Sequence, residues 1–435
     1  MIGKTDNASR RRAPRTCRSE VLTMPSVARS RPVGVNLASC GGHDVNEPWH
    51  DWIPGVLNKT QMKALVNEGL ITTTGTVDDL LDESSLDLTL SEEAYRMIGG
   101  SVKPVGDRTY AWFLNQKALA EKVPADEDGS FSLGAKKTYI FKVRERLETN
   151  LGAIGVHGKA TAKSSVGRVD VLVRLIVNGM NTYESFNPDA LKHQAGDMYL
   201  EITPITFPVK VRPGKSLSQL RFFYGDPQQV EVGSSDVLYR TIFNDHKKHD
   251  GSLNVDLHNT DVGGLPAAAF CAEPSSSADA IPLWVMEPKP DPCRHWKVKE
   301  SKDNRLTIEA EQFYILRSKE RLSVPPGIAI YCRASDETIG EMRIHYAGFV
   351  HPWFGLRRTD GEKGTPLTFE VRGHQVKVSL ADGERMANLT FYRMSQDATE
   401  PSPTGYEDQT LQLSKFFDSW PPKLKRNADD RVEAA

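Results

Sequence analysis

The chain has 435 residues, and its 55 Lys and Arg stand against 57 Asp and Glu for a formal net charge of −2. That length predicts two large domains or about three smaller ones, and the near balance of charge excludes a protein whose main task is to coat nucleic acid. Hydrophobic residues make up 39% and charged residues 26%, a globular balance, and no run reaches the ~18 apolar residues of a membrane-spanning helix. Neither nucleic acid nor a membrane is therefore an expected partner. The five cysteines, Cys17, Cys40, Cys271, Cys293 and Cys332, are scattered and form no C-x-x-C pair, which argues against a disulfide framework and against a Cys-based zinc site.

Residues 1–51 differ from the rest. They carry Arg10-Arg11-Arg12 with Arg15, Arg18, Arg29 and Arg31 among Ser and Gly, and no apolar segment follows, so a secretory signal is not indicated. The expectation is a disordered extension or a start upstream of the real one at Met24 or later, in a cytoplasmic protein. An organelle transit peptide is the alternative. The folded part is predicted to begin at Trp52. Asn58-Lys59-Thr60-Gln61 has the spacing of a capping box, Met62, Leu65 and Val66 recur at helical spacing, and Gly69 is a plausible stop.

Strand signals dominate thereafter. Leu86-Asp87-Leu88-Thr89-Leu90 alternates with period two, as does Phe207-Pro208-Val209-Lys210-Val211, which halts at Pro213-Gly214. Many short strands broken by Gly and Pro predict an all-β barrel or jelly roll. The pattern then repeats in one order. Tyr139-Ile140 with Glu145-Arg146-Leu147 matches Tyr314-Ile315 with Glu320-Arg321-Leu322, and Tyr199-Leu200-Glu201 matches Thr368-Phe369-Glu370. Val209-Lys210-Val211 matches Val376-Lys377-Val378, and Gly214, Leu220 and Phe222 match Gly383, Leu389 and Phe391. The period is far longer than a solenoid unit. It predicts two tandem β domains, 52–228 and 263–398, a polar linker at 229–262 and a tail at 399–435.

The phosphate loop G-x-x-x-x-G-K-[ST], the dinucleotide motif G-x-G-x-x-G, the G-x-S-x-G elbow and the H-x-E with P-C-x-x-C of zinc deaminases are all missing. What stands out is Lys163-Ser164-Ser165-Val166-Gly167-Arg168. Two cations, two hydroxyls and exposed backbone N–H groups within six positions suit a polyanion such as a triphosphate; the alternative is a solvated turn. Glu201 interrupts an apolar strand. Buried, it would gain a raised pKa and suit a general base or proton shuttle; on the wet face of an edge strand it would do neither.

Lys163-Ser164-Ser165-x-Gly167-Arg168 resembles the R-S-S-x-G-R signature of the dCTP deaminase and dUTPase superfamily. Tyr199-Leu200-Glu201, followed by Arg212-Pro213-Gly214, resembles the segment carrying the catalytic Glu of the dCTP deaminases. The ordered set is similar to the double-length bacterial dCTP deaminases, from Gly55-Val56-Leu57 through Arg343-Ile344-His345-Tyr346-Ala347-Gly348-Phe349 to Leu411-Gln412-Leu413-Ser414-Lys415-Phe416-Phe417. This resemblance spans roughly 54–420 and implies two tandem dUTPase-like distorted β-barrels with few short helices.

It further implies hydrolysis of dCTP to dUTP and ammonia, feeding thymidylate synthesis. Glu201 would be the base, Ser164 and Arg168 would be catalytic, and no zinc would take part. Lys163, Ser165, Val166, Gly167, Tyr199 and Leu200 would line the substrate, with Tyr406 and Gln409 on a closing tail. Mg²⁺ would arrive on the triphosphate rather than in a protein cage. Lys163 keeps the charge of the family's Arg but loses its fork. Aligning Gly340 with Gly167 puts Glu337 at the Ser164 position and Glu341 at the Arg168 position, and His351-Pro352 replaces Asp-Pro. The second copy thus reads as a structural partner, or as the donor of Glu370 to a composite site. A homo-oligomer is expected, with a trimer favoured. The alternatives are a dUTPase, a bifunctional enzyme releasing dUMP, and a non-catalytic nucleotide-binding protein.

Overall fold

The computed structural model describes residues 47–233, 235–243, 249–274, 279–335, 342–344, 348–356, 360–399 and 408–435. The chain divides into two units, Met1–His50 and Asp51–Ala435. In the first, residues 47–50 form a turn, with Trp49 Nε1 donating to Glu47 Oε2 at 2.8 Å; the extension expected over 1–51 otherwise lies outside the described residues.

The second unit opens on helix α1 (Lys59–Asn67). Its capping box forms as the spacing predicts: the Gln61 N–H donates to Asn58 Oδ1 at 3.0 Å, and the Asn58 N–H donates to Gln61 Oε1 at 3.1 Å. There follow β1 (Leu86–Met97), β2 (Tyr139–Leu147), β3 (Val156–Ala162), the one-turn helix α2 (Ser164–Gly167), β4 (Val171–Val177), β5 (Ser185–Phe186), β6 (Gly196–Pro204), β7 (Val209–Val211) and β8 (Ser216–Tyr224). They pair in the order β4-β6-β2-β1-β8-β3-β5. The alternation of β1 is that of a strand with one face in the core: Leu86, Leu88 and Leu90 are fully buried. The polar Thr89 between them is satisfied by Glu145, whose carboxylate accepts from the Thr89 N–H at 2.7 Å and from its hydroxyl at 2.6 Å.

Helix α3 (Asp236–Phe243) then leads to β9 (Ser252–Asp256), β10 (Ile281–Pro282), β11 (Phe313–Leu322), β12 (Ile328–Ala334), β13 (Met342–Ile344), β14 (Phe349–Val350), β15 (Thr365–Gly373) and β16 (Arg385–Arg393). These pair in the order β13-β15-β11-β9-β16-β12-β14, the path of the first barrel taken again. The register repeats with it, since Glu201 on β6 sits opposite Ile140 on β2 and Glu370 on β15 sits opposite Ile315 on β11. The fold is two curled, mostly antiparallel barrels of one topology.

The stretch 229–262 is not the linker expected from its polarity. Tyr239, Ile242 and Phe243 of α3 and Leu253 and Val255 of β9 belong to the core of the second barrel. Their apolar positions are separated by a run of His and Lys at 246–249 that dominates the local composition.

The barrels are joined by backbone as well as side chains. Val209 of β7 pairs in parallel with Ile281 of β10. Arg221, wholly buried on β8, donates to the Ile330 carbonyl at 2.9 Å and lies 4.0 Å from the centre of the Phe349 ring. Burial pulls that guanidinium down to about 9. Gly55 has backbone of Met394 and Ser395 so close that a Cβ would fall within 3 Å of it. Among the described residues no helix is long and apolar enough to cross a membrane.

Candidate active site

The Lys163–Arg168 segment is a single helical turn at the end of β3. The Gly167 N–H donates to the Lys163 carbonyl at 3.0 Å, and the Arg168 N–H donates to the Ser164 carbonyl at 3.1 Å. Val166 is fully buried and anchors the turn, while Ser165 and Arg168 are also buried. Of the two readings left open by sequence, the solvated turn is therefore excluded. Lys163 does not point freely at a ligand: its ammonium is paired with Asp87 of β1. Burial raises the Asp87 carboxyl, and the attraction of Lys163 works against that rise.

The carboxylate that meets this turn comes from the other barrel. A Cβ on Gly167 would have all three atoms of the Glu370 carboxyl group within 2.7 Å, so only glycine admits Glu370 here. Glu370 is 3% exposed, and its Oε2 has no hydrogen-bond partner among the described residues. Burial pushes its pKa up to about 8; the charge of Arg168 opposes that rise and the charge of Asp170 adds to it. A buried, unsatisfied carboxyl facing a turn of hydroxyls and a guanidinium is the arrangement of a site awaiting a polar ligand.

Residues 408–414 complete the enclosure. Gln409 is buried, accepts from Arg168 Nη2 at 2.5 Å and donates to the Pro366 carbonyl on β15 at 2.9 Å. Ser414 Oγ donates to the Ser165 carbonyl at 2.7 Å. Gln409 thus links the turn of one barrel to the Glu370 strand of the other. Tyr406, expected on the same segment, lies outside the described residues, as do Glu337, Gly340 and Glu341.

Glu201 lies elsewhere. On β6 it stands in register with Arg174 of β4, and it accepts from Arg174 Nε at 2.9 Å, from Arg174 Nη2, and from the Tyr183 hydroxyl at 3.1 Å. The guanidinium lies 4.1 Å from the centre of the Tyr183 ring. Among the described residues its hydrogen-bond partners include none of Lys163–Arg168. Tyr199 packs on Tyr110 with ring centres 5.6 Å apart, and Leu200 is fully buried. Tyr199, Leu200 and Glu201 are therefore not brought to the signature turn of their own barrel; the structure brings Glu370 there. The missed signal was Arg174, the one charge in Val171–Val177, a cross-strand partner for a carboxylate.

His351, where the resemblance implied Asp, is held by Ser84 Oγ at 3.0 Å and Gln219 Oε1 at 3.3 Å, and burial pushes it down to about 4. With Asp82 and Glu83 it forms a grouping of ligand-type atoms within 4.8 Å of one another, yet its two ring nitrogens are engaged by those side chains.

Two family models match in tandem: the 2′-deoxycytidine 5′-triphosphate deaminase N-terminal domain over residues 53–226 and the C-terminal domain of the same family over residues 240–417. Among solved structures, the chain is similar to the crystal structure of 2′-deoxycytidine 5′-triphosphate deaminase from Agrobacterium tumefaciens. The two share 27% identity and a TM-score of 0.69, over 80% of this chain and 99% of that one. No curated protein sequence matches.

Proposed function

The chain belongs to the 2′-deoxycytidine 5′-triphosphate deaminase family, a family of hydrolytic deaminases, and we propose that it converts dCTP and water to dUTP and ammonia at the seam between its two barrels. The observation that carries this reading is the buried Glu370 carboxyl, unsatisfied at Oε2, against Gly167 of the signature turn. Glu370, not Glu201, is then the base. Its carboxylate takes a proton from water as the water oxygen bonds to C4 of cytosine, and passes that proton to N3. The tetrahedral carbon next expels the exocyclic nitrogen; Glu370 relays the second water proton to it, N3 keeps the first, and ammonia leaves as the C4–N bond breaks.

Ser164 and the guanidinium of Arg168 orient the water and the nucleotide beside that carboxyl. Lys163 lends its positive charge beside the triphosphate while paired with Asp87, and Mg²⁺ rides on the phosphates as part of the substrate. Glu370 can hold a proton between transfers because burial disfavours its charged form.

The test follows both products. Purified full-length protein is incubated with dCTP or dUTP and Mg²⁺, with ammonia and pyrophosphate measured separately. Ammonia from dCTP, lost in Glu370→Gln while nucleotide still binds, is the expected result. Wild-type ammonia release from Glu370→Gln overturns the assignment of the base, and pyrophosphate from dUTP without ammonia from dCTP overturns the deaminase in favour of a dUTPase. Both products together identify the bifunctional reaction that ends at dUMP.

A further inference from the structure

Two positions beyond Glu370, and so on the same face of β15, Arg372 also crosses to the first barrel. Its Nε donates to Asp170 Oδ2 at 3.2 Å, and Nη2 pairs with the same carboxylate. Thr206 Oγ1 donates to Asp170 Oδ2 at 2.6 Å, and Arg372 Nη1 donates to the Glu311 carbonyl at 2.5 Å. The Asp170 side chain is fully buried and that of Arg372 is 13% exposed. Asp170 is itself fixed to the turn: its N–H donates to the Gly167 carbonyl at 2.8 Å, and its φ of 56° lies in the left-handed region that Asp tolerates better than most side chains. One face of one strand therefore touches two points of one turn, Glu370 at Gly167 and Arg372 at Asp170.

Resting on the reading of Glu370 as the base, we infer that Arg372 and Asp170 are positioning residues, an inter-barrel clasp that sets β15 in register with the signature turn and so holds the Glu370 carboxyl over it. A bidentate guanidinium fixes direction as well as distance, which a strand carrying a base from a separate barrel requires. Among the described residues, the charged groups around Glu370 are Arg168 and Asp170 on the turn and Arg372 on its own strand; β11 contributes Ile315, the C-terminal segment the neutral Gln409, and β13 sets Arg343 in register with Arg372. Asp170 acts on Glu370 through its negative charge, and Arg372 neutralises that charge.

Opposite signs follow for the two partners. A general base works deprotonated, so kcat rises with pH through its pKa. Asp170→Asn removes a nearby negative charge and moves that rise to lower pH. Arg372→Met removes the positive charge paired with Asp170 and moves that rise to higher pH.

The experiment measures kcat, KM for dCTP, the pH dependence of kcat and thermal unfolding for Arg372→Met, Arg372→Lys, Asp170→Asn and Glu370→Gln in the full chain. The expected result is a loss of kcat of about tenfold or more in Arg372→Met and Asp170→Asn with KM within about threefold, the magnitude that follows from misplacing a reacting group. The two limbs should move in opposite directions, and Arg372→Lys should recover part of the loss. Wild-type kcat in Arg372→Met or Asp170→Asn, or limbs that move together, overturns the clasp. If Arg372→Met fails to fold, Arg372→Lys and Asp170→Asn carry the same test. An active Glu370→Gln defeats the reading of the base, whereas an inactive Glu370→Gln beside a fully active Arg372→Met defeats the clasp alone.

Discussion

The Glu370 carboxyl of the second barrel rests on the Cα of Gly167 in the first, in space that any side chain would fill. Gly167→Ala has no room for its methyl group, because the turn beneath is anchored by the fully buried Val166 and the strand above by Arg372. The carboxyl must move. The expected outcome is a loss of ammonia release of about a hundredfold, with a cost in stability of about 1–3 kcal/mol from overpacking. Steady-state assays paired with thermal melts check both, and unchanged turnover would remove Glu370 from the chemistry.

Glu201 behaves differently. Its carboxylate is the counter-charge of Arg174, opposite it on the neighbouring strand. Glu201→Gln leaves that partly buried guanidinium short of a partner and should cost about 1–3 kcal/mol, read as a lower denaturation midpoint. At temperatures where the variant remains folded, ammonia release per folded molecule should stay within about threefold of wild type. An inactive, folded Glu201→Gln would return the base to the first barrel.

The pH dependence of stability carries a signature of Glu370. Its pKa is raised in the folded state from the usual carboxylate range to about 8. The folded protein thus binds more protons than the unfolded chain between roughly pH 4.5 and 8, so this contribution is fully present below that window and is lost as pH rises through it. Replacing Glu370 by Gln removes the loss. The melting temperature of Glu370→Gln relative to wild type should therefore climb from pH 5 to pH 8.5, and a constant difference across that span would contradict the burial of a titrating carboxyl.

Gln409 spans the seam, accepting from Arg168 and donating to the Pro366 carbonyl. Gln409→Ala removes one of the contacts that orient the guanidinium, leaving the one to the Gln412 carbonyl, and opens the enclosure. KM for dCTP should rise about three- to tenfold, with a smaller change in kcat, since an orienting contact rather than the proton carrier is lost. Equal KM values would place residues 408–414 outside the binding machinery.

Much of the architecture was legible in the chain. The echo of Tyr139-Ile140 in Tyr314-Ile315 corresponds to strands β2 and β11 occupying the same place in two identical pairing orders, each with its glutamate opposite the isoleucine. The capping box at Asn58 and the alternation of Leu86 to Leu90 also survive intact. Which glutamate meets the turn was legible only as alternatives, Glu201 in the same barrel or Glu370 lent to a composite site. Glu201 and Glu370 sit in equivalent local sequences, and only the docking of one barrel on the other distinguishes them. The start of the second barrel was hidden for a different reason: Tyr239, Ile242 and Phe243 recur at helical spacing, but the polar residues after them outweigh three apolar ones in any window wide enough to suggest a boundary.

The parallel pairing of Val209 with Ile281 stitches the two barrels into one backbone, and the stitch has a bearing on complementation. The proposed proton carrier and the hydroxyl turn are inherited together by every molecule, so dilution cannot separate them. A chain without the Glu370 carboxylate, mixed with another lacking the Arg168 guanidinium, still offers no polypeptide holding both. Blending two such dead proteins restores nothing, whereas enzymes that share their sites across subunits revive under the same treatment.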